Sequence, residues 1–154
     1  MFDFLSITRA LSDANRLRIL MALRAAPLCV CQITAFLDLA PSTTSKHLSI
    51  LRQARLIEST KQGRWVYYQL PAAPSSPLVD SALGWAQSAL SEDPQIIKDS
   101  EYINALLHAA VASGLASDDP ERLFCHSPEL HLLDTIQRSD ITKGKYHDPT
   151  VPHP

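Results

Sequence analysis

The sequence is poor in the residues that mark several common protein classes. Its three cysteines are too few, and odd in number, for the disulfide framework of a small secreted domain. Only four glycines occur, and neither a phosphate-binding glycine loop nor a nucleophile–base pair stands out. No apolar run reaches the roughly 18 residues of a membrane span, and the first residues lack the basic and apolar segments of a signal peptide. We therefore expect a cytoplasmic protein without membrane contact or organic cofactor, and not an enzyme.

Charge is divided unevenly along the 154 residues, although the formal net charge is only −2. Residues 1–70 carry nine basic and four acidic side chains, whereas residues 71–154 carry five basic and twelve acidic ones. A basic half in a mildly acidic protein favours a polyanionic partner on one face. The alternative is an uneven scatter of surface charge without a partner.

Hydrophobic spacing predicts a mainly α-helical fold with one small β-hairpin. Ser12 or Asp13 is expected to cap the second helix, and Ser42 the fourth. The period then changes to that of strands, and residues 56–60 are expected to pair with residues 65–68 across Gly63. The first four helices are expected at residues 3–13, 12–27, 31–40 and 41–57.

The second half of the sequence predicts further helices and a loose tail. Three prolines separate the hairpin from a helix at residues 76–90. A longer helix is expected to have Asp93 as its cap, Pro94 at its first position and Gly114 as its stop. The predicted division is a main domain at residues 1–91, an acidic helical extension at 92–138 and a disordered tail at 139–154.

The order of the early elements (helix, helix, short turn, helix, hairpin) is that of a winged helix-turn-helix. Its last helix has one face of small polar and basic side chains, which can meet base edges and phosphates in the major groove. The hairpin offers basic and amide groups to flanking phosphates or to the minor groove. The alternative is that these polar faces are simply solvated. DNA contacts are expected from Ser42, Thr43, Ser45, Lys46, His47, Ser49 and Arg52 of the helix, and from Lys61, Gln62 and Arg64 of the hairpin.

Four stretches, in this order and spacing, resemble the ArsR/SmtB family of metal-sensing winged-helix repressors, and "LCVC" resembles the arsenic-sensing branch in particular. The resemblance covers about residues 3–90. It implies a homodimer, formed by helices near residues 2–12 and 78–91, that represses transcription from an imperfectly palindromic double-stranded operator and leaves it when an effector binds. The zinc site of another branch needs a histidine beside Asp80 that this sequence lacks. The four stretches are "DANRLRIL", "LCVCQI", "STTSKHLSILRQARLI" and "KQGRWVYYQL".

Cys29 and Cys31 are the candidate effector ligands. Thiolates are soft ligands that select thiophilic ions, and trivalent arsenic or antimony bonds to them in a pyramidal, three-coordinate arrangement. In a regular helix, residues i and i+2 point about 200° apart. We therefore expect chelation by both cysteines to disturb the start of the third helix, which supports the fourth, DNA-reading helix. The alternatives are a pair of buried packing residues or a strained redox disulfide.

The third ligand is the open position of this site. Arsenic-binding relatives often carry a third cysteine three residues after the second, where this sequence has Thr34. Cys125 is the remaining thiol, and we predict it as the third metal ligand. The competing interpretation is that Cys125 packs in a core.

These observations predict a cytoplasmic, dimeric repressor that trivalent arsenic or antimony releases from operator DNA through Cys29 and Cys31. One alternative in the same fold is a sensor of thiol oxidation or of another thiophilic metal. An alternative of a different class is an interaction or metal-buffering protein that does not bind DNA.

Overall fold

The computed structural model describes residues 1–63 and 65–112, which form a mainly α-helical unit with one small antiparallel sheet. This confirms the predicted winged helix-turn-helix class. No helix among these residues is long and apolar enough to cross a membrane. The elements are α1 (Phe2–Leu11), α2 (Ala14–Ala22), β1 (Leu28–Cys29), α3 (Val30–Leu37), α4 (Pro41–Gln53), β2 (Glu58–Gln62), β3 (Trp65–Gln69), α5 (Pro77–Leu90) and α6 (Pro94–Ala112).

Two of the predicted helix caps are confirmed. Asp13 caps α2, since its Oδ1 accepts a hydrogen bond from the Arg16 backbone N–H at 3.0 Å. Asp93 caps α6 through Oδ1, which accepts from the backbone N–H groups of Gln95 at 2.8 Å and Ile96 at 3.2 Å. Each carboxylate satisfies backbone donors that a helix start leaves unpaired.

The predicted Ser42 cap of α4 is wrong. The helix begins one residue earlier, at Pro41, and Ala40 occupies the N-cap position. Proline suits the first helical position because its missing N–H would be unpaired there in any case. Ser42 therefore lies within the first turn of α4, where it is exposed.

The hairpin is confirmed, and a strand that was not predicted extends it. β2 and β3 pair antiparallel, and β1 joins the other edge of β3 with Leu28 opposite Tyr68 and Cys29 opposite Tyr67. Gly63, at the hairpin turn, has a φ of +60°, which glycine adopts without strain. The sheet thus places Cys29 beside β3. We call the hairpin of β2 and β3 the wing.

The core lies where the winged unit and α6 meet. Apolar side chains from α2, β1, α3 and α4 are fully buried together with one from α6, and α6 packs against α2 and α3. The division into domains at residue 91 stays a prediction. The predicted helix stop Gly114, the remainder of the predicted extension after residue 112 and the predicted tail lie outside the described residues. The largest of these buried side chains are Ile19, Leu28, Ile33, Leu48, Leu51 and Ile103.

A partly buried ion pair and a set of aromatic contacts hold α6 against α2 and α3. Arg18 donates two hydrogen bonds to Asp99, at 2.7 Å and 2.9 Å, and Gln95 donates a third at 2.7 Å. The Arg18 guanidinium lies 5.0 Å from the centre of the Phe36 ring, which packs on Tyr102 with 6.3 Å between centroids. Asp99 is only 4% exposed, and these three hydrogen bonds to its carboxylate compensate for the cost of burying its charge.

Candidate functional site

One face of α4 presents the polar row that the sequence predicts, and we call this row the reading face. The opposite side of the helix is anchored in the core by Thr44, Leu48 and Leu51, which are buried. This anchoring orients the polar row toward solvent. The reading face consists of Ser42, Thr43, Ser45, Lys46, Ser49 and Arg52, all exposed.

The wing adds exposed polar groups beside this helix. Lys61 and Gln62 end β2 and are exposed, while Arg64 lies outside the described residues. Arg52 Nη1 lies 3.5 Å from Ser59 Oγ of β2, so the end of the reading helix adjoins the wing. A basic helix face next to a basic hairpin suits the phosphate backbone of DNA.

His47 is placed apart from the other predicted DNA-binding residues. Its side chain is only 13% exposed, and its Nδ1 lies 3.7 Å from Oδ1 of Asp13, the cap of α2. Within the described residues this buried nitrogen has no hydrogen-bond partner. The structure thus brings His47 to the start of α2, and a contact of His47 with DNA stays a prediction.

Cys29 lies where a strand ends and a helix begins. It is the last residue of β1 and the N-cap of α3, its backbone is extended, and its side chain is 2% exposed. Its backbone N–H donates to Gln32 Oε1 at 2.7 Å, and the Gln32 backbone N–H points back to the Cys29 sulfur. This reciprocal arrangement is a capping box in which a thiol replaces the usual hydroxyl.

Cys31 has a different environment, although only one residue separates it from Cys29. It lies in the first turn of α3, is half-buried, and both cysteines are free thiols. The helix boundary therefore falls between the two cysteines, whereas the predicted 200° separation assumed that both lie inside the helix. A ligand that bonds to both sulfurs acts on the cap of α3 and not on its middle.

Burial controls the protonation of the deeper cysteine. Burial raises the pKa of the Cys29 thiol, the Gln32 backbone N–H opposes that rise by stabilising the thiolate, and nearby Cys31 adds to it. Burial also raises the pKa of Tyr67, which lies opposite Cys29, and the charge of Cys29 reinforces that rise. A protonated thiol must lose its proton before its sulfur can bind an ion, so binding here is linked to proton release.

The described residues include two candidate ligands for a soft ion. These are the free thiols of Cys29 and Cys31, a ligand type that thiophilic ions prefer. Among residues 1–63 and 65–112, no group of three His, Cys, Asp or Glu side chains is arranged to hold a metal. Thr34, one turn after Cys31, has a buried hydroxyl that makes no hydrogen bond within this part of the chain. Cys125, the predicted third ligand, lies outside the described residues.

Two residues that the structure ties to the cysteine pair were not predicted. Gln32 is recognisable in hindsight, because a glutamine three residues after a cap completes the spacing of a capping box, with cysteine at the cap position. Tyr67 could not be recognised in that way. Its pairing with Cys29 depends on β1, which is two residues long and too short to show a period.

Comparison with known proteins gives consistent relatives. A family model described as "Bacterial regulatory protein, arsR family" matches residues 13–59. The arsenical resistance operon repressor of Escherichia coli (strain K12) is 34% identical over 89 residues, which cover 57% of this chain and 69% of that protein. The cadmium resistance transcriptional regulatory protein CadC of Listeria innocua serovar 6a is 42% identical over 71 residues, covering 44% and 60%.

The matches differ in how much of each relative they cover. The chain spans about half the length of two further curated relatives, 51% and 46%. Among solved structures, HlyU from Vibrio cholerae N16961 superposes with a TM-score of 0.50 at 27% identity, over 58% of this chain and 94% of that one. The named relatives of resistance operons are regulators, in agreement with the expectation that this chain is not an enzyme.

Proposed function

This chain belongs to the ArsR family of bacterial regulatory proteins, and we propose that it is a cytoplasmic, dimeric repressor that trivalent arsenic or antimony releases from operator DNA. The observation that carries the proposal is the position of Cys29. It caps α3, the helix immediately before the reading helix α4. A ligand on its sulfur therefore acts where the DNA-reading unit is supported.

DNA binding is assigned to the reading face and the wing. The hydroxyls of the helix can bond to base edges, and Lys46, Arg52 and Lys61 can neutralise phosphates. Two reading helices in a dimer would enter successive major grooves, which calls for an operator with two related half-sites.

Dimerisation is supported by apolar side chains that α1 and α5 leave in solvent. Trp85 of α5 is 68% exposed, and Phe2, Phe4 and Leu5 of the adjoining α1 are exposed as well. Large apolar groups gathered on one surface are typical of a protein interface. We assign this surface to the second copy of the chain.

Effector binding is assigned to the two thiols. Each new arsenic–sulfur bond replaces an arsenic–hydroxyl bond of arsenite, and the thiol proton leaves with that hydroxyl group as water. Arsenic stays trivalent, so no oxidant or reductant is required. Bonding to the ion draws the Cys29 sulfur away from its cap position, so the Gln32 backbone N–H loses its acceptor and the cap of α3 weakens. An effector can release the repressor only through such a difference between the bound and unbound conformations.

The test is a titration of arsenite into the complex with a labelled fragment of the chain's own promoter, followed by fluorescence anisotropy. Wild type should release the DNA. The variant C29S/C31S should bind DNA equally well and stay bound, because serine is a good helix cap but a hard ligand. C125S shows whether the predicted third ligand is also needed for release. Normal release of C29S/C31S would place the effector site elsewhere, and failure of the wild type to bind its promoter would contradict the repressor function.

A second candidate effector is cadmium, because a regulator of cadmium resistance is 42% identical over its matched region. Cadmium is also thiophilic and takes two thiolates readily. The same anisotropy assay, run with cadmium in place of arsenite, distinguishes the two. Release by cadmium at a lower free concentration than by arsenite would favour cadmium, and release by oxidant that a reductant reverses would favour a redox sensor.

A further inference from the structure

We propose that Gln32 is a positioning residue whose side chain holds Cys29 in the operator-binding conformation and so sets how much effector is needed for release. This inference rests on the proposed function and deepens it. It assigns to a buried, uncharged side chain the regulation of the cysteine pair.

The cap that Gln32 completes is weak on its sulfur side. Serine, threonine, aspartate and asparagine are the preferred N-cap residues, whereas a cysteine sulfur is a weak acceptor. The stronger bond of the pair is the one from the Cys29 backbone N–H to Gln32 Oε1, at 2.7 Å. Of the two cap bonds, the one to the Gln32 side chain therefore contributes more to holding Cys29 at the start of α3.

Burial makes this bond difficult to replace. Gln32 is only 6% exposed and Cys29 2%, so water is not positioned to take over from the amide oxygen. A buried N–H left without a partner carries the full penalty of its lost hydration. The bond consequently favours the capped conformation over any conformation that separates the two groups.

Chelation by both sulfurs is expected to require such a separation. Cys29 is extended and Cys31 is already in the helix, so bringing their sulfurs onto one ion rotates the backbone between them. That rotation shifts Gln32, which follows Cys31 in the chain, relative to the Cys29 N–H and so breaks the bond to Oε1. The effector's affinity is thus reduced by the free energy needed to break the Gln32 bond, which is a direct coupling between cap and sensor.

Gln32 is connected to both DNA-binding elements, through its own helix α3 and through its partner Cys29. α3 packs against α4, which carries the reading face, and Cys29 pairs with Tyr67 of β3, the second strand of the wing. Weakening the cap at Cys29 therefore loosens the support of the reading helix and the edge of the wing strand together. Gln32 acts on DNA binding through these contacts and does not itself belong to the reading face.

The experiment compares Gln32→Met, Gln32→Glu and Ala35→Gly with wild type. Methionine keeps the volume of the buried side chain but removes the acceptor, while glutamate keeps an acceptor at the position where capping boxes use it. Ala35 is exposed on the same helix, so Ala35→Gly loosens α3 to a similar degree without touching the cap. Arsenite-driven release from the promoter fragment is measured by anisotropy. Hydrogen exchange of the first turn of α3 is measured without arsenite or DNA.

We expect Gln32→Met to lower the arsenite concentration for half-release roughly tenfold and to speed exchange of the Cys29 amide. Gln32→Glu should need at least as much arsenite as wild type, and Ala35→Gly should leave the half-release concentration within about twofold of wild type. An unchanged Gln32→Met, or an equal shift in Ala35→Gly, would overturn the inference. If Gln32→Met does not fold well enough to bind DNA, a lower arsenite requirement in Gln32→Glu would overturn it instead.

Failure of the proposed function gives a separate result. In that case wild type itself does not respond to arsenite, whatever residue stands at position 32. The exchange measurement then still decides whether Gln32 holds the Cys29 amide, because it needs neither effector nor operator. Unchanged exchange in Gln32→Met would overturn that part of the inference.

Discussion

At the scale of single residues, two cysteines so near in sequence have different environments. Cys29 is part of the helix cap, buried and paired across the sheet with Tyr67, whereas Cys31 lies half-buried in the first turn of α3. An approaching ligand meets Cys31 with less obstruction. We infer an order in which Cys31 captures the effector and Cys29 converts capture into a conformational change.

The first prediction concerns alkylation of these thiols. With iodoacetamide at pH 8 and no denaturant, Cys31 should react at least roughly tenfold faster than Cys29, because burial both blocks Cys29 and raises its pKa. In urea the two rates should converge. Peptide mass spectrometry over time gives both rates, and equal rates in the folded protein would contradict the buried cap.

At the scale of elements, the core supports the reading helix α4 on its buried side, and β1 supports the wing along one edge of β3. α4 is anchored by its buried side, and β3 is flanked by β2 and by β1. Because β1 runs directly into α3 and pairs with β3, the cysteine pair lies where the helix before α4 meets the wing. Under the proposed function, a change at this point would affect both DNA-binding elements.

The second prediction concerns the reading face. Replacing Lys46 with alanine should reduce the salt dependence of promoter binding, since each phosphate contact adds about 0.9 to the slope of log K against log salt. In a dimer the slope should fall by roughly two. The measurement is promoter affinity at several salt concentrations.

Lys98→Ala is the control for the second prediction. Lys98 is an exposed lysine on α6, so this substitution makes the same change in charge away from the reading face. Its slope should match that of wild type. Equal slopes for Lys46→Ala and wild type would remove Lys46 from the interface.

Periodicity in the sequence predicts the helices and the hairpin because each repeats its pattern over several residues. The reading face follows from the wheel of α4, whose apolar positions Leu48 and Leu51 are buried as expected. β1 could not be predicted, because two residues have no detectable period and pairing with β3 is a tertiary contact. The cap of α4 was misplaced because serine is a common cap, whereas Pro41 at the first position settles the boundary.

The position of His47 shows a further limit of sequence patterns. The sequence predicts a DNA contact from His47, yet its side chain is turned toward Asp13 at the start of α2. The wheel gives a direction from the helix axis but not the position of neighbouring helices. Only the packing of α2 against α4 shows that this direction is partly covered.

At the scale of the whole molecule, the described residues form one connected path from the cysteine pair to the proposed DNA-binding elements, and a separate apolar surface. The path runs from the cap of α3 to α4 and the wing, while α6 braces α2 and α3 through Arg18 and Asp99. The apolar surface lies on α1 and α5. The proposed function would use both, because each copy of a dimer would read one half-site of the operator.

The third prediction concerns the assembly. Trp85→Glu should convert a dimer of 17.0 kDa chains into monomers and weaken promoter binding, since a charge would be buried in the interface. Ile97→Glu is the control, because Ile97 is also exposed and apolar but lies on α6. Sedimentation equilibrium measures the mass. A dimeric Trp85→Glu variant would exclude this surface as the interface.

The central claim, that the effector bonds to the sulfurs of Cys29 and Cys31, is tested most directly by X-ray absorption at the arsenic edge. Arsenite-bound wild type should show sulfur in the first shell, and C29S/C31S should lose it. C125S reports whether the third position is also sulfur. A sulfur shell that is unchanged in C29S/C31S, or an arsenic atom surrounded only by oxygen in wild type, would contradict the account.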